Sequence, residues 1–326
     1  MKSFHLDLVR VTETGAISAA EWVGRGNKEE ADLAATEAMR KRLNQCDFCA
    51  TIAIGEGKKD ESHGLYEGEI VGAHRHKGGK VLIPRTDAHD GVKEEDGSKY
   101  DIAIDPIEGT TPTATGGYEA MSVIAIANKD CFYKTDHFYM DKLAVGATIA
   151  KRAELNINDP PQVTVNTAAA ALGKEPHEFT VCVLDRPRTK PLIAELRKTG
   201  CRIKFISDCD VTACIAACVL GNGIDMYWSI GGSPEAVIAA AAMKCMGGWM
   251  QCIEYDKNGD DVSRVNDTIL SIEDLAKGPT MFAGTGITDG KLLKGVRYQS
   301  RGIITNSIAM RSESGTVRRF HTQHGN

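Results

Sequence analysis

Residues 101–110 read DIAIDPIEGT. From Tyr100 to Asp105, apolar and polar residues alternate as they do in a half-buried strand. Pro106 restricts Asp105 to extended backbone and offers no N–H to a ladder, so the pattern predicts a strand that ends on the Asp105 carboxylate. Glu108 follows, and Gly109 allows a tight turn that brings the Thr110 hydroxyl toward whatever the carboxylates hold. Oxygen ligands of this kind suit hard divalent cations, Mg²⁺ or Mn²⁺, which usually complete their shells with water and substrate phosphate.

The flanking sequence supplies the frame. Phe4 to Val23 has apolar residues at helical spacing, GRGNK (24–28) breaks the pattern, and ADLAATEAMRKRL continues as a second helix. TIAIGEG is a short apolar strand leading to Glu56, and MSVIAIAN is the strand after DIAIDPIEGT. Ala73 to Lys99 is rich in Gly, Lys and His with little apolar pattern and reads as an exposed excursion. The paired prolines of LNINDPPQVT suit a connection between two lobes, 1–161 and 162–326. Beyond them, helical and strand patterns alternate through FTVCVLD, PLIAELRKTG, CRIKFISD, VTACIAACVL and GIDMYWSIGG, which is α/β texture. Pro234 then opens an Ala-rich helix whose first turn carries Glu235, where the helix dipole favours a carboxylate.

Composition narrows the class. The chain has 326 residues, 42% hydrophobic and 25% charged, as soluble globular proteins do. It shows neither a bilayer-length apolar run nor an apolar signal core near its first residues, so a cytoplasmic protein without a membrane role is expected. The ten cysteines are scattered through apolar segments and read as reduced buried thiols; the single CxxC, Cys46 and Cys49, has no second pair at ligand spacing. A net charge of −5 argues against a nucleic-acid surface. Within it lies a basic island, Arg186, Arg188, Lys190, Arg197, Lys198, Arg202 and Lys204, able to meet a small polyanion.

Asp32, Glu56, Asp105, Glu108 and Glu235 stand out as carboxylates beside glycines, where backbone can approach ions and phosphates. No histidine recurs at ligand spacing, which favours Mg²⁺ or Mn²⁺ over Zn²⁺. A carboxylate metal site next to a polyanion pocket suggests phosphoryl transfer to water.

Taken in order, GRGNK with Asp32, IGEG with Glu56, DPIEGT, FYMDKL, RPR, ISDCD and GGSPE resemble the class II (GlpX-type) fructose-1,6-bisphosphatases, within the lithium-sensitive phosphatase superfamily. The resemblance implies a layered αβαβα sugar-phosphatase fold, a homo-oligomer, and gluconeogenic hydrolysis of the 1-phosphate of fructose 1,6-bisphosphate. It implies metals held by Asp32, Glu56, Asp105, Glu108 and Glu235. It places substrate against Glu108, Gly109, Thr110, Tyr139, Arg186, Pro187, Arg188, Asp208, Cys209, Asp210 and Gly232. Thr110 would orient the attacking water, Glu56 would assist as base, and Lys28 would stabilise an anion. Arg186 and Arg188 would neutralise the phosphate that is not cleaved, while Asp208 and Asp210 would accept from sugar hydroxyls. The chain departs from the usual pattern at Asn27, Lys58, Thr111 and Arg186. Rival readings are a sedoheptulose-1,7-bisphosphatase, an inositol-phosphate phosphatase, a sugar-phosphate sensor without turnover, and a nucleotide-binding protein prompted by GTGITDG, which lacks the phosphate-loop lysine.

Overall fold

The computed structural model describes residues 3–55, 57, 64–75, 81–82, 99–258 and 261–325. The chain opens with helices α1 (His5–Ala20) and α2 (Lys28–Leu43), followed by strand β1 (Ala50–Ile54), β2 (Ile70–Val71) and a small hairpin, β3 (His74–Arg75) with β4 (Val81–Leu82). That hairpin is the described part of the predicted excursion. β5 (Tyr100–Glu108), α3 (Thr110–Thr115), β6 (Met121–Asn128), β7 (Tyr139–Val145) and α4 (Ala147–Ala150) complete the first half. The second half holds α5 (Pro161–Ala171), β8 (Thr180–Leu184), α6 (Lys190–Lys198), β9 (Arg202–Ile206), α7 (Asp210–Ala217), β10 (Met226–Gly232) and α8 (Ser233–Cys245). It ends with β11 (Trp249–Asn258), β12 (Asp261–Arg264), β13 (Leu270–Ser271), α9 (Ile272–Leu275), β14 (Thr280–Gly286), β15 (Arg297–Gln299), β16 (Gly302–Arg311) and β17 (Thr316–His324).

An eight-stranded mixed sheet runs β15-β16-β14-β6-β5-β1-β2, with β17 also on β16; a seven-stranded mixed sheet runs β12-β11-β7-β10-β8-β9, with β13 on β11. Sheet membership crosses Pro161 in both directions: β7 lies in the second sheet, and β14 to β17 lie in the first. The prolines at 160 and 161 begin α5, Pro160 as its N-cap and Pro161 in its first turn, where a missing N–H leaves no bond unmade.

The strands read as apolar runs because both faces are covered. On β6, Ile124 and Ile126 pack with Leu8, Val11 and Met39 of the first two helices, whereas Val123, Ala125 and Ala127 face the cluster containing α7 and α8. The second sheet meets α7 and α8 through Met140, Ala144 and Tyr227, and turns Leu143, Val145, Val181 and Trp228 toward α5 and α6. Layers therefore alternate helix, sheet, helix, sheet, helix. The central layer explains the composition of α8: Ala236 to Met243 are buried on every side, as a helix between two sheets requires, and the alanines at 236 and 239–242 let the sheets close on it.

One expectation about the opening stretch is corrected. The strand does not stop at Asp105 but runs through Pro106 to Glu108. Pairing with β6 continues across an irregularity, Asp105 opposite Val123 and Glu108 opposite Met121, so the β5 side carries one extra residue. The missing proline N–H falls at this bulge, and the Asp105 side chain takes up the next one, its Oδ1 accepting from Ile107 N–H at 2.9 Å. Residues at odd separation on a regular strand face opposite sides; the bulge removes that constraint for Asp105 and Glu108.

The central layer makes a test of the packing. Ala240→Leu adds buried methylenes between the two sheets and should cost about 1–3 kcal/mol. Urea unfolding should show a lower midpoint with the slope unchanged; an unchanged midpoint would mean that α8 is not tightly enclosed.

Candidate active site at the junction of the two sheets

Carboxylate oxygens of Asp105, Glu108 and Glu235 lie within 4.8 Å of one another. They come from adjacent layers: the first two from the bulged end of β5, Glu235 from the first turn of α8 in the central layer. They line a cavity of about 360 Å³ together with Asp32, Gly109, Thr110, Thr111, Asp208, Cys209 and Asp210. The structure thus gathers Asp32, Asp105, Glu108 and Glu235 at one cavity; Glu56 lies outside the described residues, although Gly55 and Gly57 on either side line the same cavity.

Local sequence accounts for each placement. Asn27 caps α2, its Oδ1 accepting from Glu30 N–H at 3.2 Å, a role that Asp and Asn fill equally well. That helix start presents Asp32 and Lys28, and the Lys28 Nζ donates to Thr111 Oγ1 at 2.9 Å, so two departures from the family pattern, Asn27 and Thr111, both have structural partners. Farther along α2, Arg40 Nε donates to Glu69 Oε1 at 2.5 Å and the other Glu69 oxygen accepts from Leu65 N–H at 2.5 Å. These bonds tie the helix carrying Asp32 to the turn after β1. Gly109 has a φ of 101°, caps α3, and approaches Cys209 so closely that a Cβ there would lie 2.6 Å from its sulfur. Thr110 is the first residue of that helix, with Oγ1 3.3 Å from the Ile107 carbonyl.

On the opposite wall, Cys209 is held at a φ of 76° and starts α7. Left-handed backbone is costly for a residue with a Cβ, and here it separates two carboxylates with different partners. Asp208 Oδ1 accepts from Arg186 Nη2 at 3.0 Å, whereas Asp210 Oδ2 accepts from the buried Lys142 at 2.5 Å. Glu108 reaches the same helix start, its Oε1 accepting from Val211 N–H at 2.7 Å. Tyr139, Arg186, Pro187 and Arg188 do not line the cavity but form a neighbouring cluster. Arg188 lies over the Tyr139 ring, 4.4 Å from its centroid, and its Nε donates to the Ile230 carbonyl at 2.7 Å. Asp208 connects this cluster to the cavity through Arg186, and Gly232, paired with Tyr139, connects it through β10.

Electrostatically the cavity is strained toward protonation. Burial, then Asp210 and Glu235, push Glu108 up to about 8, with the Val211 N–H pulling the other way. Burial also raises Glu235, opposed by Lys142. Glu235 Oε2 and Asp208 Oδ2 are buried and have no hydrogen-bond partner among the described residues. Crowded carboxylates with an unpartnered buried oxygen fit a divalent cation, which would supply the missing positive charge. Lys142 escaped the sequence reading; its signal is a lysine in FYMDKL with Met140 two residues before it and Leu143 and Ala144 after it.

Buried carboxylates able to hold a cation, beside arginines able to meet an anion, define a metal-dependent hydrolase of phosphate esters in an α/β frame. The family model described as bacterial fructose-1,6-bisphosphatase, glpX-encoded, matches residues 2–324. A relative from Synechococcus sp. (strain JA-2-3B'a(2-13)), described as D-fructose 1,6-bisphosphatase class 2/sedoheptulose 1,7-bisphosphatase, is 37% identical over 339 residues, spanning 98% of this chain and 94% of the relative. One of the same description from Crocosphaera subtropica is 38% identical, spanning 98% of this chain and 95% of the relative. The chain belongs to the glpX-encoded bacterial fructose-1,6-bisphosphatase family.

A raised carboxyl pKa has a signed consequence for stability. The folded protein retains a proton on Glu108 that the unfolded chain releases, so this group's contribution is full below the ordinary 4.5 and is lost as pH rises through about 8. In chelator, the melting temperature should decline across that window. The increment produced by added Mn²⁺ should grow over the same window, because the cation takes over the role of the proton. A metal-induced increment that is flat with pH would contradict this assignment.

Proposed function

We propose that the chain is a metal-dependent phosphatase that removes the 1-phosphate of fructose 1,6-bisphosphate, giving fructose 6-phosphate and inorganic phosphate. The observation that carries the reading is the convergence of Asp105, Glu108 and Glu235 at one cavity, in a chain whose family is that of the fructose-1,6-bisphosphatases. Asp32 and Glu56 complete the proposed ligand set, and Mg²⁺ or Mn²⁺ are the ions that an all-carboxylate donor set favours. When bound, such ions lower the pKa of a water and offset charge on the phosphoryl group.

The chain's own residues do the rest. Thr110, at the first position of α3 and lining the cavity, orients the attacking water. Glu56 is assigned the base. Lys28, held at Thr111, adds positive charge beside the phosphoryl group. Asp208 and Asp210 accept from sugar hydroxyls, with Glu108, Gly109, Cys209 and Gly232 shaping the wall between them. The cluster of Tyr139, Arg186, Pro187 and Arg188 takes the phosphate that stays. Arg188 is braced by the tyrosine ring and the Ile230 carbonyl, so its guanidinium is oriented before substrate arrives. The DPIEGT motif supports placing the family within the lithium-sensitive phosphatases. All ten cysteines are free thiols, which supports a cytoplasmic setting, and the homo-oligomer follows from the resemblance. Among the described residues no helix is long and apolar enough to cross a membrane.

Sedoheptulose 1,7-bisphosphate is the second substrate to test, because both relatives carry it in their names. Phosphate release should be measured on fructose 1,6-bisphosphate, sedoheptulose 1,7-bisphosphate and an inositol monophosphate with Mg²⁺ or Mn²⁺. The bisphosphates should turn over and excess chelator should abolish the activity. Arg188→Ala should raise KM for the bisphosphates by about 10-fold or more, the scale of one lost charge-assisted hydrogen bond, and leave kcat nearly unchanged. Turnover in chelator, or bisphosphate binding without phosphate release, would defeat the proposal.

A further inference from the structure

Among the described residues Lys142 is the largest fully buried charged side chain, with no exposed side-chain surface. It stands on β7, in the middle of the second sheet, paired across to Ser229 on β10 and Cys252 on β11. Its ammonium donates to Asp210 Oδ2 at 2.5 Å and to the Gly232 carbonyl at 2.9 Å. A fully buried lysine is costly unless its partners are fixed; here one partner, Asp210, lines the cavity and the other, Gly232, lies against the Glu235 carboxylate.

The neighbouring backbone is shaped to admit this pair. At Gly231 an added Cβ would stand 1.7 Å from Asp210 Oδ2 and 2.8 Å from Lys142 Nζ, so the ion pair occupies the space that any other residue would fill. Burial opposes the lysine's charge, but Asp210 and Glu235 outweigh it and raise its pKa. On the other side, Asp210 opens α7 next to the left-handed Cys209 and lines the cavity with only 8% of its side chain exposed.

We infer that Lys142 is a positioning residue for substrate recognition: its ammonium pins the Asp210 carboxylate and the Gly232 backbone in the orientation that receives the polyol part of a sugar phosphate. The inference rests on the proposed role of Asp210 toward sugar hydroxyls. Without the ammonium, Asp210 loses the cation that fixes its carboxylate and can swing, which removes an ordered acceptor from the sugar site. Lys142 Nζ donates to Asp210 and Gly232, whereas the Thr110 hydroxyl donates to the Ile107 carbonyl, so hydrolysis of a phosphate ester lacking a sugar should feel the change less than hydrolysis of the bisphosphate.

The test compares wild type, Lys142→Met, Asp210→Asn and the double variant in saturating Mn²⁺, with fructose 1,6-bisphosphate and with p-nitrophenyl phosphate. Lys142→Met should raise KM for the bisphosphate about 10- to 100-fold, the scale of a hydrogen bond to a charged group, and change aryl phosphate turnover by less than about threefold. Asp210→Asn should raise the bisphosphate KM to a similar extent, and the double variant should raise it no more than either single one, because the pair acts as a unit. If Lys142→Met fails to fold because Asp210 is left buried and unpaired, the double variant removes both charges, and its split between the two substrates decides. Equal loss on both substrates, or an unchanged bisphosphate KM, would overturn the inference. A wild-type protein that hydrolyses the aryl ester but not the bisphosphate would instead overturn the function proposed above.

Discussion

The repulsion among carboxylates buried at one point governs this structure. Glu108 is enclosed, with Asp210 and Glu235 close enough to drive its pKa up to about 8. Such a cluster persists only where compensating charge is built in or supplied from outside. Two compensations are built in: the Val211 N–H at the start of α7, bonded to Glu108, and the Lys142 ammonium, bonded to Asp210. They serve Glu108 and Asp210 and leave Glu235 Oε2 without a partner among the described residues. The charge still wanting is that of a divalent cation.

The layered fold follows from the need to bring such groups together from both sides. Asp105 and Glu108 arrive on the first sheet, Asp208 just after β9, Asp210 at the start of α7, and Glu235 on the central helix α8. The sheets can approach because the helix between them, α8, carries alanines at 236 and 239–242 among its buried residues. The groups proposed to meet substrate divide along the same line, with Thr110 on the β5 side and the Arg188–Tyr139 stack on the β7–β10 side. A bisphosphate lying across this junction would meet one phosphate site on each.

Much of this was legible in sequence, for identifiable reasons. Turn residues and carboxylates with few alternative roles marked DPIEGT and GGSPE, and strong periodicity marked the main helices and strands. The end of β5 was not legible, because Pro106 obeys the rule that it cannot donate to a ladder, and the chain meets that rule with a bulge rather than a stop. Lys142 was hidden for a different reason: a lone lysine in a strand reads as solvent-facing, and only the layer covering it shows that it is enclosed. The left-handed Cys209 carries no sequence signal, since a non-glycine residue seldom adopts that backbone; it stands between Asp208 and Asp210, whose partners differ. The partners of Asn27 and Thr111 show how a departure from pattern can keep its physics.

The central claim is that the buried carboxylates form a divalent-cation site. Anomalous diffraction at the manganese edge, from crystals grown with Mn²⁺, tests it most directly. The account predicts a peak bounded by oxygens of Asp105, Glu108 and Glu235, and its loss when Glu235 is replaced by Gln. Manganese absent from that position in crystals of active enzyme, or bound only elsewhere, would contradict it.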